Sequence, residues 1–180
     1  LPARWLIAHS VGSSEPTFIF FTITAIYYFL KYEQKQNYLF ITLAGIFGLL
    51  AQLTRPPGIL LLAALGIYIL WKNLKGNFVK NIFKSIPTYF PLILIPVGLI
   101  SIFFLYQIVY NDFFAYFHSG DNIHLSFPPF QIFNASQFWV GSIWLEDIIY
   151  IYILGLLGGL MLLKHEVLKP MGIYVLTFMT

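Results

Sequence analysis

The sequence predicts an all-α membrane protein in which several helices cross the bilayer. Hydrophobic residues make up 59% of the chain and charged residues 9%, against about 45–50% and about 25% in a typical soluble domain. The apolar stretches continue for many residues, without the alternation of polar and apolar side chains that a lipid-facing β-strand requires. Together these observations favour a polytopic transmembrane helix bundle.

The first three apolar runs cover residues 17–30, 38–53 and 58–71. The segment Ser13-Ser14-Glu15-Pro16 before the first run is typical of a helix start, with a serine cap, an acid at the positive end of the helix dipole and a proline in the first turn. One helix over residues 38–71 would be about 50 Å long, more than a bilayer core of about 30 Å, and two prolines would interrupt it. We therefore expect the chain to turn back at Arg55.

Three further runs cover residues 86–110, residues 142–163 and the chain from Met171 onward. The fourth run is long enough to cross the bilayer, with kinks at Pro91 and Pro96. The sequence thus predicts about five full or partial crossings plus a truncated sixth, with residues 111–141 as a non-cytoplasmic loop. Because the chain lacks an initial Met and the last run is short, we expect residues 1–180 to be part of a single transmembrane domain truncated at both ends.

The charges divide clearly between the two predicted sides of the membrane. One side carries all eight lysines and two glutamates, for a net charge of +6, and the other carries Arg4, Arg55 and five acids, for a net charge of −3. The positive-inside rule makes the Lys-rich loops cytoplasmic. We expect a multi-pass protein of the plasma membrane if prokaryotic, or of the endoplasmic reticulum if eukaryotic. Because the lysines are explained by membrane topology, we predict no nucleic-acid partner from the net positive charge.

Arg55 is the first candidate for a functional site. The two runs that flank it are short, so we expect their connecting turn to lie within or just below the outer interface, where a guanidinium is costly and needs an anionic partner. A lipid-linked phosphate would suit its paired planar donors. Alternatively, Arg55 bonds the last carbonyls of the preceding helix and extends toward water.

Glu15 is the second candidate, with Arg4, His9 and Ser10 just upstream on the same predicted side. A carboxylate in the first turn of a helix is often only a partner for the helix dipole. It would also serve as an acceptor for sugar hydroxyls, as a partner for Arg4 or Arg55, or as a general base. His9 is a candidate for phosphate binding or proton transfer, or is simply hydrogen-bonded.

The predicted outer loop contains Asp112, His118, Asp121 and His124 among many aromatic residues. Aromatic rings with scattered acids suit the faces and hydroxyls of sugars, which makes His118 and Asp121 candidates for substrate binding. A loop that rests on the lipid surface would have a similar composition. The spacing matches no two-histidine metal motif, and the chain has no cysteine, so we predict no metal site.

Two segments carry a resemblance to a known family. Residues 1–18, which read Leu-Pro-Ala-Arg-Trp-Leu-Ile-Ala-His-Ser-Val-Gly-Ser-Ser-Glu-Pro-Thr-Phe, and the turn Leu53-Thr-Arg-Pro-Pro-Gly58 resemble the middle of a polytopic GT-C glycosyltransferase. The similarity is to the mannosyltransferase-like group that includes the enzyme adding the second mannose to GPI anchors, along with its prokaryotic relatives. It covers roughly residues 1–71. Glu15 matches the Glu at the head of that family's membrane helix, and Arg55 with Gly58 matches its Thr-Arg-Pro-x-Gly turn.

The resemblance implies transfer of a hexose, mannose-like, from a polyprenyl-phosphate sugar to a glycan or glycolipid acceptor on the outer or lumenal face. The lipid-linked sugar is then the donor substrate, and no other cofactor is implied. Arg55 would hold the phosphate with help from Arg4, while Glu15 and His9 position sugar or acceptor. The family's acidic base typically precedes Leu1, so no catalytic base is assigned here beyond Glu15 as a weak candidate. We expect such a fragment to be inactive alone.

Two other classes of function remain open at the level of sequence. A polytopic transporter or flippase-like protein would also use a broken helix near Arg55, since discontinuous helices build transporter sites. A noncatalytic membrane subunit of an enzyme complex would share the composition and topology.

Overall fold

A computed structural model describes residues 14–74, 78–118 and 142–179, and within these ranges the chain is helical without any β-strand. The predicted all-α class is therefore confirmed. The α-helices are α1 (Glu15–Lys35), α2 (Tyr38–Thr54), α3 (Ile59–Asn73), α4 (Phe78–Tyr89), α5 (Leu94–Tyr110), α6 (Ala115–His118), α7 (Ser142–Leu163) and α8 (Lys169–Met179). Short 3-10 turns at Pro56–Gly58, Phe90–Ile93 and Glu166–Leu168 precede α3, α5 and α8.

Two helical segments are long and apolar enough to cross a membrane among the residues that the structure describes. They are Pro56–Asn73 and Lys80–Tyr110, the second of which combines most of α4 with α5. Only 28% and 17% of their most apolar windows are buried inside the molecule. Because the core helix of a soluble protein would be mostly buried, these outward-facing apolar surfaces fit contact with lipid. Within the described residues no other helix meets the combined requirement of length and apolar composition, so the further expected crossings are not shown.

The helix ends differ from the prediction at three points. Ser14 precedes α1, but its side chain does not cap the helix. The fourth run begins eight residues before the predicted Ile86 and is broken at the 3-10 turn that contains Pro91, because proline lacks the N–H donor that an α-helix needs. Pro96 instead lies inside α5. The break at Arg55 is confirmed, since α2 ends at Thr54.

The turn between α1 and α2 follows from its two polar residues. Gln36 ends α1 with a left-handed φ of 53°, and its backbone N–H donates to the carbonyl of Tyr32. The side chain of Asn37 then accepts a hydrogen bond from the backbone N–H of Leu39 at 3.0 Å, which caps α2. The two helices consequently pack as an antiparallel pair.

The core is formed where α1, α2, α3 and α5 meet. Its fully buried side chains include Phe29, Ile41, Leu61, Leu65 and Ile95. α2 packs against both α1 and α5, while α8 packs against both α3 and α7. In a lipid environment the burial of apolar surface between helices provides little free energy, because lipid tails are equally apolar. Close van der Waals packing is therefore what holds such helices together.

Small residues allow these helices to approach closely. A Cβ added at Gly45 would clash with the carbonyl of Pro91, and one at Gly48 would lie 2.7 Å from the Ile95 side chain. On α7, a Cβ added at Gly159 would lie 2.8 Å from Leu176 of α8. These small residues therefore serve packing between helices of the chain.

Candidate functional site

The backbone at Arg55 is set by the residues that follow it. A residue before proline is restricted to extended conformations, and Arg55 has φ −152° and ψ 142°. Its N–H still donates to the carbonyl of Ala51, so the extended residue closes α2 without leaving that donor unpaired. Gly58 completes the turn, since a Cβ there would lie 2.5 Å from the Cα of Gln52. The Thr-Arg-Pro-Pro-Gly sequence thus fixes where Arg55 leaves the helix.

Arg55 forms an ion pair with Glu15, forty residues earlier, at the first turn of α1. The guanidinium Nη1 donates to the Glu15 Oε1. The side chains are 34% and 37% exposed, and ion pairs this accessible contribute only about 0.2–1 kcal/mol. The guanidinium is therefore accessible to an incoming anion. The sequence anticipated Arg55 as one possible partner for Glu15.

The ion pair lies at the edge of an apolar cavity of about 490 Å³. The apolar walls come from α1, from Pro57 and from the last two turns of α8, and they include Phe18, Ile19, Ile23, Val175, Phe178 and Met179. From Glu15 to Ile23 the cavity follows α1 for about 12 Å. Deeper polar groups are the Thr22 hydroxyl and the Tyr174 hydroxyl that approaches it. The cavity thus offers charge at one place and apolar surface elsewhere, as a lipid-linked anion requires.

The Arg55 turn is recessed relative to the end of α5. Gly98 of α5 packs against Leu49 and Gln52 of α2, and Pro91 and Ile95 pack against the earlier Gly45 and Gly48, so the two helices run in the same direction. Beyond Gly98, α5 continues to Tyr110, a length of about 18 Å. α2 ends only two residues after Gln52. The turn consequently lies roughly 10 Å or more short of the end of α5.

At the opposite end of the helices the structure reveals a cluster of polar side chains around one carboxylate, which the sequence did not indicate. Glu33 is 12% exposed and accepts hydrogen bonds from Lys72 Nζ at 2.5 Å, the Tyr89 hydroxyl at 2.6 Å and the Tyr68 hydroxyl at 3.3 Å. These contacts join the carboxyl ends of α1, α3 and α4. In the sequence Glu33 is one charged residue among lysines. The only feature that distinguishes it is that it is an acid in an otherwise basic turn.

The Glu15–Arg55 pair and the Glu33 cluster together establish the direction of α3. The turn that starts α3 lies beside the first turn of α1, whereas the end of α3 contacts the end of α1 through Lys72 and Glu33. The chain therefore turns back at Arg55, as predicted. Lys169 lies 4.3 Å from the Trp71 ring centre, which brings a further lysine to the same end. We call this the Lys-rich end.

The other predicted site residues do not join the cavity. His118 lies on α6, where its Nδ1 is 2.7 Å from Asp112 Oδ2, and it is not among the residues that line the cavity. The hydrogen bond from His118 lowers the pKa of the exposed Asp112 carboxyl, with help from the backbone N–H of Phe114. Within the described ranges no three metal-ligating side chains gather. The remaining candidates lie outside the described residues: Arg4, His9, Ser10 and Asp121.

Tyr174 and Phe178 are cavity residues that sequence reasoning missed. They belong to α8, which starts at Lys169, two residues before the predicted sixth run, and no polar motif marks them. Hydropathy identifies α8 as apolar, but it does not reveal which helix packs beside α1. The side of the cavity that α8 forms is therefore decided by tertiary packing, because α8 lies far from α1 in the sequence.

No protein-family model, curated protein or solved structure matches the chain. The assignment of a function therefore depends on the residues and the geometry of the chain itself. On that basis the cavity beside Glu15 and Arg55 is the strongest candidate site, because it combines a cation, a carboxylate and an apolar wall.

Proposed function

We propose that this chain acts in a polytopic membrane glycosyltransferase of the GT-C type. The reaction would move a hexose, mannose-like, from a polyprenyl-phosphate sugar to a glycan or glycolipid acceptor on the outer or lumenal face. The observation that carries the proposal is the Glu15–Arg55 pair at the edge of the apolar cavity. A donor with a phosphate, a sugar and an isoprenoid chain presents the matching charge, hydroxyls and apolar surface.

Membrane placement adds support to a phosphate-binding role for Arg55. We take the bundle to be multi-pass, with the Lys-rich end cytoplasmic by the positive-inside rule and the end of α5 near the outer surface. The recessed Arg55 turn would then lie below that surface. An arginine at membrane depth is costly, and such residues are functional by default. The ion pair with Glu15 would neutralise it until the donor phosphate arrives.

The chemistry assigns distinct roles to the two charged groups. In the transfer, the bond between the anomeric carbon and the phosphate oxygen breaks, and the acceptor oxygen forms the new bond to that carbon. The phosphate leaves with the bonding electron pair, and a guanidinium stabilises the charge that develops there. The acceptor hydroxyl loses its proton to a base, which we leave unassigned. Glu15 suits the orientation of sugar or acceptor hydroxyls, because its carboxylate already accepts from Arg55.

The test is the Arg55→Lys substitution in the full protein, assayed with a polyprenyl-phosphate sugar. A lysine keeps the charge but loses the paired planar donors, so we expect a fall in kcat/KM of about ten-fold to one-hundred-fold, equivalent to about 1.4–2.7 kcal/mol. Lys164→Gln is the control, because this exposed lysine precedes α8 at the end opposite to its cavity residues. Turnover of Arg55→Lys equal to that of the unsubstituted protein would contradict the proposal.

A transporter or flippase-like function is the second candidate, because the break between α2 and α3 borders the cavity. The two functions differ in their products. The transferase makes a new glycosidic bond in detergent solution, where no sealed compartment exists. A transporter moves its lipid or solute across a sealed vesicle and leaves every covalent bond intact.

A further inference from the structure

Gln52 is a fully buried polar side chain close to the candidate site. It lies on the last turn of α2, three residues before Arg55, and its relative exposure is 0%. Polar groups are expensive at membrane depth, and those that are found there usually have a function. Gln52 does not line the cavity beside Arg55, so its function follows from what its side chain contacts.

The two prolines after Arg55 weaken the connection between α2 and the turn that follows it. In a continuous helix the N–H groups of residues 56 and 57 would donate to the carbonyls of residues 52 and 53, but proline has no N–H. The Arg55 N–H still donates to the carbonyl of Ala51. Beyond Arg55, another group has to hold the turn against the end of α2.

The Gln52 side chain provides this second connection. Its Nε2 donates to the carbonyl of Pro56 in a long hydrogen bond of 3.4 Å. The opposite orientation of the amide would place two acceptors face to face, so Nε2 is the atom that faces Pro56. Gly58 packs on the same residue, since a Cβ added there would lie 2.7 Å from the Gln52 nitrogen and 3.0 Å from its Oε1. The turn is therefore in contact with Gln52 at Pro56 and at Gly58.

Helix α5 fixes Gln52 from the other side. A Cβ added at Gly98 would lie 3.4 Å from the Gln52 Cγ and 3.6 Å from its Cβ, so this side chain lies between α5 and the turn. The Gln52 Oε1 is buried without a hydrogen-bond partner among the described residues. Because an unpaired buried acceptor lowers stability, a gain in stability does not explain why an amide is present here.

We propose that Gln52 is a positioning residue, which holds the turn so that the Arg55 guanidinium stays beside Glu15 at the edge of the cavity. The inference rests on the proposed function, in which Arg55 stabilises the leaving phosphate. Gln52 acts through Arg55, because it contacts Pro56, the residue that directly follows. A displacement of about 1 Å in a catalytic group can lower a rate about one-hundred-fold. A loosened turn therefore lowers turnover even though Arg55 itself is unchanged.

The first experiment is Gln52→Met, which removes the amide but nearly keeps the length and volume of the side chain. Because the unpaired Oε1 is removed as well, we expect a thermal unfolding midpoint in detergent no lower than that of the unsubstituted protein. We expect kcat/KM with a polyprenyl-phosphate sugar to fall about ten-fold, mainly in kcat, since the phosphate charge develops in the transition state. Gln107→Met is the matched control, because this glutamine is exposed on α5 and donates to Asn111 at the end of that helix.

The decisive comparison is the double variant Gln52→Met with Arg55→Lys. If Gln52 acts through Arg55, adding Gln52→Met to Arg55→Lys lowers kcat/KM by less than about two-fold. A residue that only supports folding would lower kcat/KM by the same factor in both backgrounds. That additive result would overturn the inference, as would unchanged turnover of Gln52→Met alone.

Binding of farnesyl monophosphate to the purified protein tests the role of Gln52 without any transfer reaction. This probe combines a phosphate with a short isoprenoid chain, and native mass spectrometry in detergent measures its affinity. We expect Gln52→Met to bind it about five-fold more weakly and Gln107→Met to bind it as the unsubstituted protein does. Equal affinity of Gln52→Met and the unsubstituted protein would overturn the inference whatever the transfer assay shows. Weaker binding by Gln52→Met in a protein that transfers no sugar would contradict only the proposed function.

Discussion

At the residue scale, the two acids of α1 illustrate how similar sequence signals lead to different environments. Glu15 and Glu33 each lie near one end of the helix and each pairs with a cation. Glu15 is more than a third exposed, beside a cavity that a ligand can enter, whereas Glu33 is nearly buried and has three donors. Glu15 was identified from its place at a helix start, but nothing local distinguishes Glu33 from a solvated surface acid.

Glu33→Gln should destabilise the protein by about 1–3 kcal/mol, because a neutral amide leaves Lys72 without its counter-charge and turns one acceptor into a donor. The measurement is the thermal unfolding midpoint in detergent. Glu166→Gln is the control, since its carboxylate is 81% exposed and the i,i+3 pair with Lys169 contributes little. Equal midpoints for the two variants would show that the buried cluster has no structural importance.

At the element scale, the contact between α2 and α5 depends on the absence of side chains. Gly45 and Gly48 lie against Pro91 and Ile95, and at Gly45 the opposing atoms belong to the backbone. A flexible side chain can move aside for a methyl group, but a backbone carbonyl moves only together with its helix. The sequence shows only that these positions are glycines, and the structure shows that they lie against the start of α5 and the turn before it.

Gly45→Ala should therefore cost about 1–3 kcal/mol through displacement of α5. Gly158→Ala provides the comparison, because its added methyl meets nothing within 4 Å and alanine has the higher helix propensity, by up to about 1 kcal/mol. Chemical denaturation in mixed micelles would report both values. A Gly45→Ala variant as stable as Gly158→Ala would refute the close contact between the helices.

At the scale of the whole molecule, the direction of each helix follows from contacts at the two ends of the bundle. The Glu15–Arg55 pair joins one end, and the Glu33–Lys72 pair joins the other. Lysines gather at the second end, in agreement with the charge division read from the sequence. Which end faces the cytoplasm stays a prediction of the positive-inside rule, because charge asymmetry and not packing determines orientation.

Cysteines introduced singly at Asp121 and at Lys75 test that orientation, since the chain contains no cysteine of its own. In sealed vesicles we expect a membrane-impermeant thiol reagent to label the two positions from opposite faces. The control is labelling after detergent, which should make both equally reactive. Labelling of both from one face would contradict the proposed topology.

The sequence by itself determined the helical class, most helix boundaries and the break at Arg55. These depend on composition, on apolar length and on proline, all of which act within a few residues. Tertiary structure alone decided that Glu15 is the partner of Arg55, that α8 completes the cavity wall and that Glu33 is nearly buried beside two tyrosine hydroxyls. Such contacts join residues that are tens of positions apart, and the shapes of the packed helices determine them. A local sequence pattern therefore cannot predict them.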